Sequence, residues 1–169
     1  AHADHLGGLE PFLQKTTAFV VTHPVEFDRF PDVCKSFSRD ATALPRSRYF
    51  FRTDEQIVEF ARVRLRAVLI PGHTLASLAY EWVGQDILFT GDTLFRGSIG
   101  RTDGPDAAGE ACLVAYVRAR LLALNDRTRV LPGHGPFTTI GRERASNPFL
   151  ADRDRSGHDK TARTPETVR

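Results

Sequence analysis

The sequence contains no methionine, one tryptophan and two cysteines in 169 residues. Cys34 and Cys112 are too few for a disulfide framework and are not spaced as a zinc knuckle, which suits a reducing, cytoplasmic setting. Long hydrophobic runs are missing too. The longest, around Val68 to Ile70, is strand-sized, far short of the roughly 20 residues that span a bilayer, so no membrane association is expected. Charge of one sign is also lacking: 23 Lys and Arg against 21 Asp and Glu leave a net charge of +2. That near cancellation supplies no basic footprint, so nucleic acid is not an expected partner. With 41% apolar and 26% charged residues, the composition instead suits one folded domain. The first residue is Ala1, which points to processing or to a segment of a longer chain.

Periodicity organises what is present. Thr17 to Thr22 reads as a buried strand closed by His23-Pro24. Pro31 to Arg52, rich in Pro, Ser, Arg and aromatics without a steady period, reads as a surface excursion with at most a helical turn. Val63, Leu65, Ala67 and Leu69 alternate with Arg64 and Arg66, which predicts a half-buried strand with its apolar face on those four residues. Leu78 to Trp82 and Ile87 to Phe89 flank Gly84-Gln85 as a hairpin. Leu113, Val117, Leu121 and Leu124 predict an amphipathic helix over 108–124, with Asp106 as its cap. A brief strand, Thr128 to Leu131, follows. These elements argue a layered α/β domain over residues 1–150. Residues 151–169 are charged and nearly free of large apolar side chains, and are expected to form a disordered tail.

Four short motifs hold most of the histidines, each where a strand is expected to end: His2-Ala3-Asp4-His5, Pro71-Gly72-His73-Thr74, Thr90-Gly91-Asp92-Thr93 and Pro132-Gly133-His134-Gly135-Pro136. Strand-end loops are where rigid scaffolds display reactive groups, and the adjacent glycines let the backbone approach a bound ion. Imidazole and carboxylate suit zinc, iron or manganese. Four His and two Asp exceed the needs of one tetrahedral ion, which favours two divalent ions bridged by a carboxylate.

In this order, the motifs resemble the metallo-β-lactamase superfamily over about Ala1 to Leu150. The stretch GDTLFRGSIGRTD (Gly91 to Asp103) is similar to the glyoxalase II and persulfide dioxygenase branch. PGHGPFTTIGRERASNPFL (Pro132 to Leu150) is similar to its compact, single-domain glyoxalase II-like members. The resemblance implies an αββα sandwich with a metal cleft at one edge. It implies His2 and His73 as ligands of a first ion, Asp4, His5 and His134 as ligands of a second, and Asp92 bridging both. Asp4 and Asp92 are the carboxylates it assigns to the chemistry. The family motif H-x-H-x-D-H would place a leading histidine two residues before His2, so the resemblance also implies a sandwich lacking its N-terminal strands in this chain.

Two divalent ions, zinc first among the candidates, would turn a shared water into a hydroxide and polarise an ester-like carbonyl. The activity implied is hydrolysis of a small-molecule glutathione thioester, as in hydroxyacylglutathione hydrolases. Arg101 matches the position where a cation meets the glutathione part of the substrate; a plain salt bridge with Asp103 is the competing reading. Asp92 stands where the best-known β-lactamase class carries cysteine, which points away from antibiotic hydrolysis. Two alternatives remain: an iron-dependent persulfide dioxygenase, and a non-catalytic, metal-stabilised interaction module.

Overall fold

The computed structural model describes residues 2–35 and 46–151. The tail expected over residues 151–169 lies outside the described residues except for Ala151, and so does the middle of the Pro31 to Arg52 excursion. The chain opens with two short helices, α1 (Ala3–Leu6) and α2 (Leu9–Lys15), followed by strand β1 (Val20–Thr22). Helices α3 (Pro24–Phe27) and α4 (Phe30–Lys35) come next, then β2 (Tyr49–Phe51), which pairs in parallel with β1. Strands β3 (Ile57–Phe60), β4 (Val63–Leu69), β5 (Leu78–Trp82) and β6 (Ile87–Gly91) lead to a small hairpin, β7 (Leu94–Phe95) and β8 (Ser98–Ile99). Helix α5 (Glu110–Tyr116), a π turn (Val117–Leu121), β9 (Arg129–Pro132), β10 (Thr138–Thr139) and α6 (Ile140–Ser146) complete the described chain.

The main sheet has six strands in the order β10-β9-β6-β5-β4-β3. Only β6 and β9 pair in parallel; every other neighbouring pair is antiparallel. One face carries Val68, Ala79, Leu88 and Val130, which pack with Leu113, Val117 and Leu121 and with Ile140 in the principal core. The opposite face carries Ala67, Leu69, Leu78 and Tyr80 and looks toward the β1-β2 pair, where the Tyr80 hydroxyl reaches the Val21 carbonyl at 3.4 Å. Helices, sheet, strand pair and helices thus follow one another as layers, the arrangement expected of the sandwich.

Several local expectations change. In β4 the large core lies on the Arg64, Arg66 and Val68 side rather than on the Val63 and Leu65 side. The reason is that helix α5 covers the far end of that face, while Arg66 at the near end pairs with Glu55 and Glu81. Asp106 does not cap the helix. It pairs with Arg29, and the N-cap is Gly109 at φ 98°. The helix is α-helical only over Glu110–Tyr116 and then widens into the π turn. Four-residue steps drift around an α-helix, and one wider turn returns Leu121 to the stripe of Leu113 and Val117, all fully buried. Pro24 ends β1 but opens α3: His23 is its N-cap, the Nδ1 accepting the Val25 N–H, and proline suits the first helical position. The excursion after Pro31 contains α4 and β2, held by an aromatic cluster of Phe27, Phe30, Tyr49 and Phe51 that aperiodic spacing concealed. Among the described residues, no helix is long and apolar enough to cross a membrane.

Candidate metal centre

Strands β4, β6 and β9 run in the same direction, so the loops after them open at the same edge of the sheet. Those loops carry His73, Asp92 and His134. Buried residues just upstream, Ile70, Thr90 and Val130, fix the strand ends. The fourth motif differs. His2 stands at the N-cap of α1 in extended backbone, and Asp4 and His5 lie within that helix.

All six residues converge. His2, His73 and Asp92 form one group, and Asp4, His5, Asp92 and His134 form another; in each, the donor atoms lie within 4.8 Å of one another. Asp92 belongs to both. Its Oδ2 lies 3.1 Å from His5 Nε2, 3.6 Å from His134 Nε2 and 3.7 Å from His73 Nε2. Asp4 Oδ2 lies 3.0 Å from His134 Nε2 and 3.7 Å from His5 Nε2. The His2 and His73 rings stand edge-on at 4.6 Å, those of His5 and His134 at 5.0 Å.

Electrostatics ties the cluster together. Burial pushes the Asp92 carboxyl up, but the hydrogen bond from His5 and the charges of His5, His134 and His73 outweigh it and hold the group below the usual carboxylate range. The same hydrogen bond raises His5 against its burial. His2 is lowered, first by burial and then by the neighbouring His73.

The donor set fits divalent cations. His73 Nδ1 lies 2.7 Å from the Arg101 carbonyl. A carbonyl can only accept, so Nδ1 carries a proton there, and Nε2 is the ring atom left facing Asp92. At 3.7 Å that pair is too far apart for a hydrogen bond. The spacing suits two atoms each about 2.0–2.2 Å from one ion. Asp92 Oδ1 is buried without a hydrogen-bond partner, the orphaned acceptor that a cation would satisfy. Gly133 leaves the necessary room: a Cβ there would lie 2.4 Å from Asp92 Oδ1 and 2.9 Å from His5 Cε1.

A family model, the metallo-β-lactamase superfamily, matches residues 1–134. The chain belongs to the metallo-β-lactamase superfamily. It is similar to the hydroxyacylglutathione hydrolase GloC of Haemophilus influenzae, at 40% identity over 101 residues, 60% of this chain and 47% of the relative. Among solved structures, BLEG-1 B3 metallo-β-lactamase is 33% identical with a TM-score of 0.79, over 90% of this chain and 74% of that one. TTHA1623 in a di-iron-bound form is 34% identical with a TM-score of 0.73, over 89% and 74%. The chain spans about half the length of the first curated relatives it matches. The superfamily fold binds divalent metals, and the six residues that meet at this edge of the sheet offer donors suited to them.

Two residues that the sequence marks also act through other groups, and a third is not marked as a site residue. The Arg101 guanidinium is exposed and pairs with Asp103 at 3.3 Å, and the atom of Arg101 that reaches the cluster is its carbonyl. Gly72 serves packing rather than ion approach, since a Cβ there would lie 2.2 Å from Leu113 Cβ. Glu26 is buried, and its Oε1 accepts the Ala76 N–H at 3.3 Å, just beyond the His73 loop. Only an acidic residue inside an aromatic stretch marked it.

Proposed function

We propose that this chain carries the metal centre of a hydrolase acting on glutathione thioesters. The observation that carries the reading is the single carboxylate, Asp92, shared by two convergent groups of ligands; the likeness to GloC supports the substrate class. Divalent ions held there would lower the pKa of a shared water and polarise the thioester carbonyl. His2, His73 and Asp92 would hold one ion, and Asp4, His5, His134 and Asp92 the other. Overall, water oxygen ends on the acyl carbon, the C–S bond breaks, and the thiol leaves with a proton.

The chain's own groups orient this chemistry. The Arg101 carbonyl keeps the His73 tautomer fixed. Asp4, exposed beside His134, stands at the outer side of the cleft, where a proton exchanges readily with solvent. Arg101 offers a cation for the carboxylates of glutathione, and its exposed pairing with Asp103 is weak enough to yield.

A second reading has its own observation. His2, His73 and Asp92 alone make a two-histidine, one-carboxylate set of the kind that binds non-haem iron in oxygenases, which favours persulfide oxidation. Parallel assays separate the two: hydrolysis of S-lactoylglutathione, and oxygen consumption with glutathione persulfide, each with zinc or iron. Thioester turnover without oxygen uptake supports the hydrolase. Oxygen uptake with iron bound overturns it. A β-lactam arm follows from the likeness to BLEG-1, and metal binding with no turnover in any arm would leave a non-catalytic module.

A further inference from the structure

Helix α6 and its C-cap residue, Asn147, carry a polar pair where the apolar stripe should continue. Ile140, Glu143 and Asn147 share one face, and all three are fully buried. Burying a carboxylate is costly unless donors meet it. Glu143 is met three times: by the Thr138 hydroxyl, by the Gly97 N–H at 2.8 Å and by Asn147 Nδ2 at 2.8 Å. Asn147 Nδ2 also donates to the Ser98 carbonyl at 3.0 Å. Both side chains therefore grip the β7-β8 hairpin, whose own ladder has only two residue pairs.

That hairpin runs straight into the metal centre. The residue after β8 is Gly100, whose N–H donates to the Thr93 carbonyl at 3.3 Å. Gly100 presses so closely on Asp92 that a Cβ would lie 1.8 Å from the Asp92 carbonyl oxygen and 3.1 Å from His73 Cβ. Next comes Arg101, whose carbonyl accepts from His73 Nδ1. Three residues of chain thus separate Gly97, whose N–H is held by Glu143, from Arg101, whose carbonyl orients His73.

We infer that Glu143, with Asn147, is a positioning residue: it clamps the hairpin from beneath and so fixes the Arg101 carbonyl that sets the orientation and tautomer of His73. The inference rests on the metal-centre reading and is independent of the substrate. Glu143→Gln should conserve the clamp, because the amide oxygen can face the Gly97 and Asn147 donors while the Thr138 hydroxyl turns to accept from the amide nitrogen. Glu143→Ala removes it, and Glu143→Asp leaves an acceptor about one methylene short of Gly97.

The test has two readouts on the full chain. In the metal-free protein, NMR follows the His73 Nδ1 proton, which should exchange slowly in the wild type and in Glu143→Gln, and rapidly in Glu143→Ala. Chelator competition with zinc should show affinity weakened by about tenfold or more in Glu143→Ala, the range seen when a partner of a metal ligand is lost, and nearly unchanged in Glu143→Gln. If Glu143→Ala does not fold, Glu143→Asp is expected to show the same two losses. A folded alanine or aspartate variant with the Nδ1 proton still protected and zinc affinity unchanged would overturn the inference, as would a glutamine variant impaired as much as the alanine one. A wild type with a protected proton that binds no zinc would sink the metal-centre reading while the exchange data still decide the clamp.

Discussion

The two halves of the candidate metal centre are built differently. His73, Asp92 and His134 stand on loops whose strands pass through the principal core, where Ile70, Leu88 and Val130 are fully buried. Asp4 and His5 sit on a four-residue helix with no buried residue. One half inherits its geometry from the whole domain, whereas the other depends on a single turn and on its contacts with the first. Those contacts meet at Asp92, which accepts from His5 and also belongs to the group of His2 and His73. The exposed half is therefore the more adjustable one.

This contrast can be broken by substitution. The largest effect should come from Leu88→Ala, which empties a fully buried position beneath the sheet and should cost about 2–5 kcal/mol in denaturant unfolding; a loss below about 1 kcal/mol would show that the sheet does not anchor its loops. Gly133→Ala is next. Its Cβ meets Asp92 and His5, so stability should fall by about 1–3 kcal/mol, and zinc affinity should fall with it; unchanged affinity would mean that the cluster is looser than its geometry. Asp4→Ala should separate the two properties. Zinc affinity should drop about tenfold or more, comparable to the loss of a partner that orients a ligand, while the metal-free Tm stays near that of the wild type. A large fall in Tm would place α1 in the structural core and erase the contrast.

The smallest effect concerns the far end of β4. Asp54 accepts from Arg120 at 3.0 Å and from the Leu69 N–H at 2.9 Å. Burial pushes its carboxyl up, but these partners outweigh it and hold it below the usual range. A depressed carboxylate contributes stability above its unfolded pKa of about 3.9, and that contribution disappears as pH falls through the lower folded value. Asp54→Asn should therefore cost about 0.2–1 kcal/mol at pH 7, as for a partly exposed pair, and nothing once both forms are protonated. A difference that persists undiminished at the acid end would assign the effect to packing instead.

Much of the fold was legible where local pattern and tertiary role coincide. The hairpin around Gly84 follows from its turn residues, and the histidine and aspartate motifs stand out because glycines punctuate them. Legibility failed where a long-range partner decides. Arg29 draws Asp106 away from capping. Helix α5 makes the Val68 side of β4 the principal core. Edge strand β3 pairs with β4 through a turn in which Ala61 takes a φ of 51°, with no glycine to announce it. The same limit applies to the site: side-chain donors can be read from residue types, but a backbone carbonyl such as that of Arg101 carries no signature in sequence.

The central claim is that two divalent ions share Asp92. Calorimetric titration of zinc into the metal-free chain, beside Asp92→Ala, tests it most directly. Two ions per chain are expected for the wild type, and both affinities should collapse in the variant, by at least about a hundredfold because a shared ligand is lost rather than an outer partner. Saturable binding of one ion at undiminished affinity in Asp92→Ala, or no saturable binding in the wild type, would contradict it.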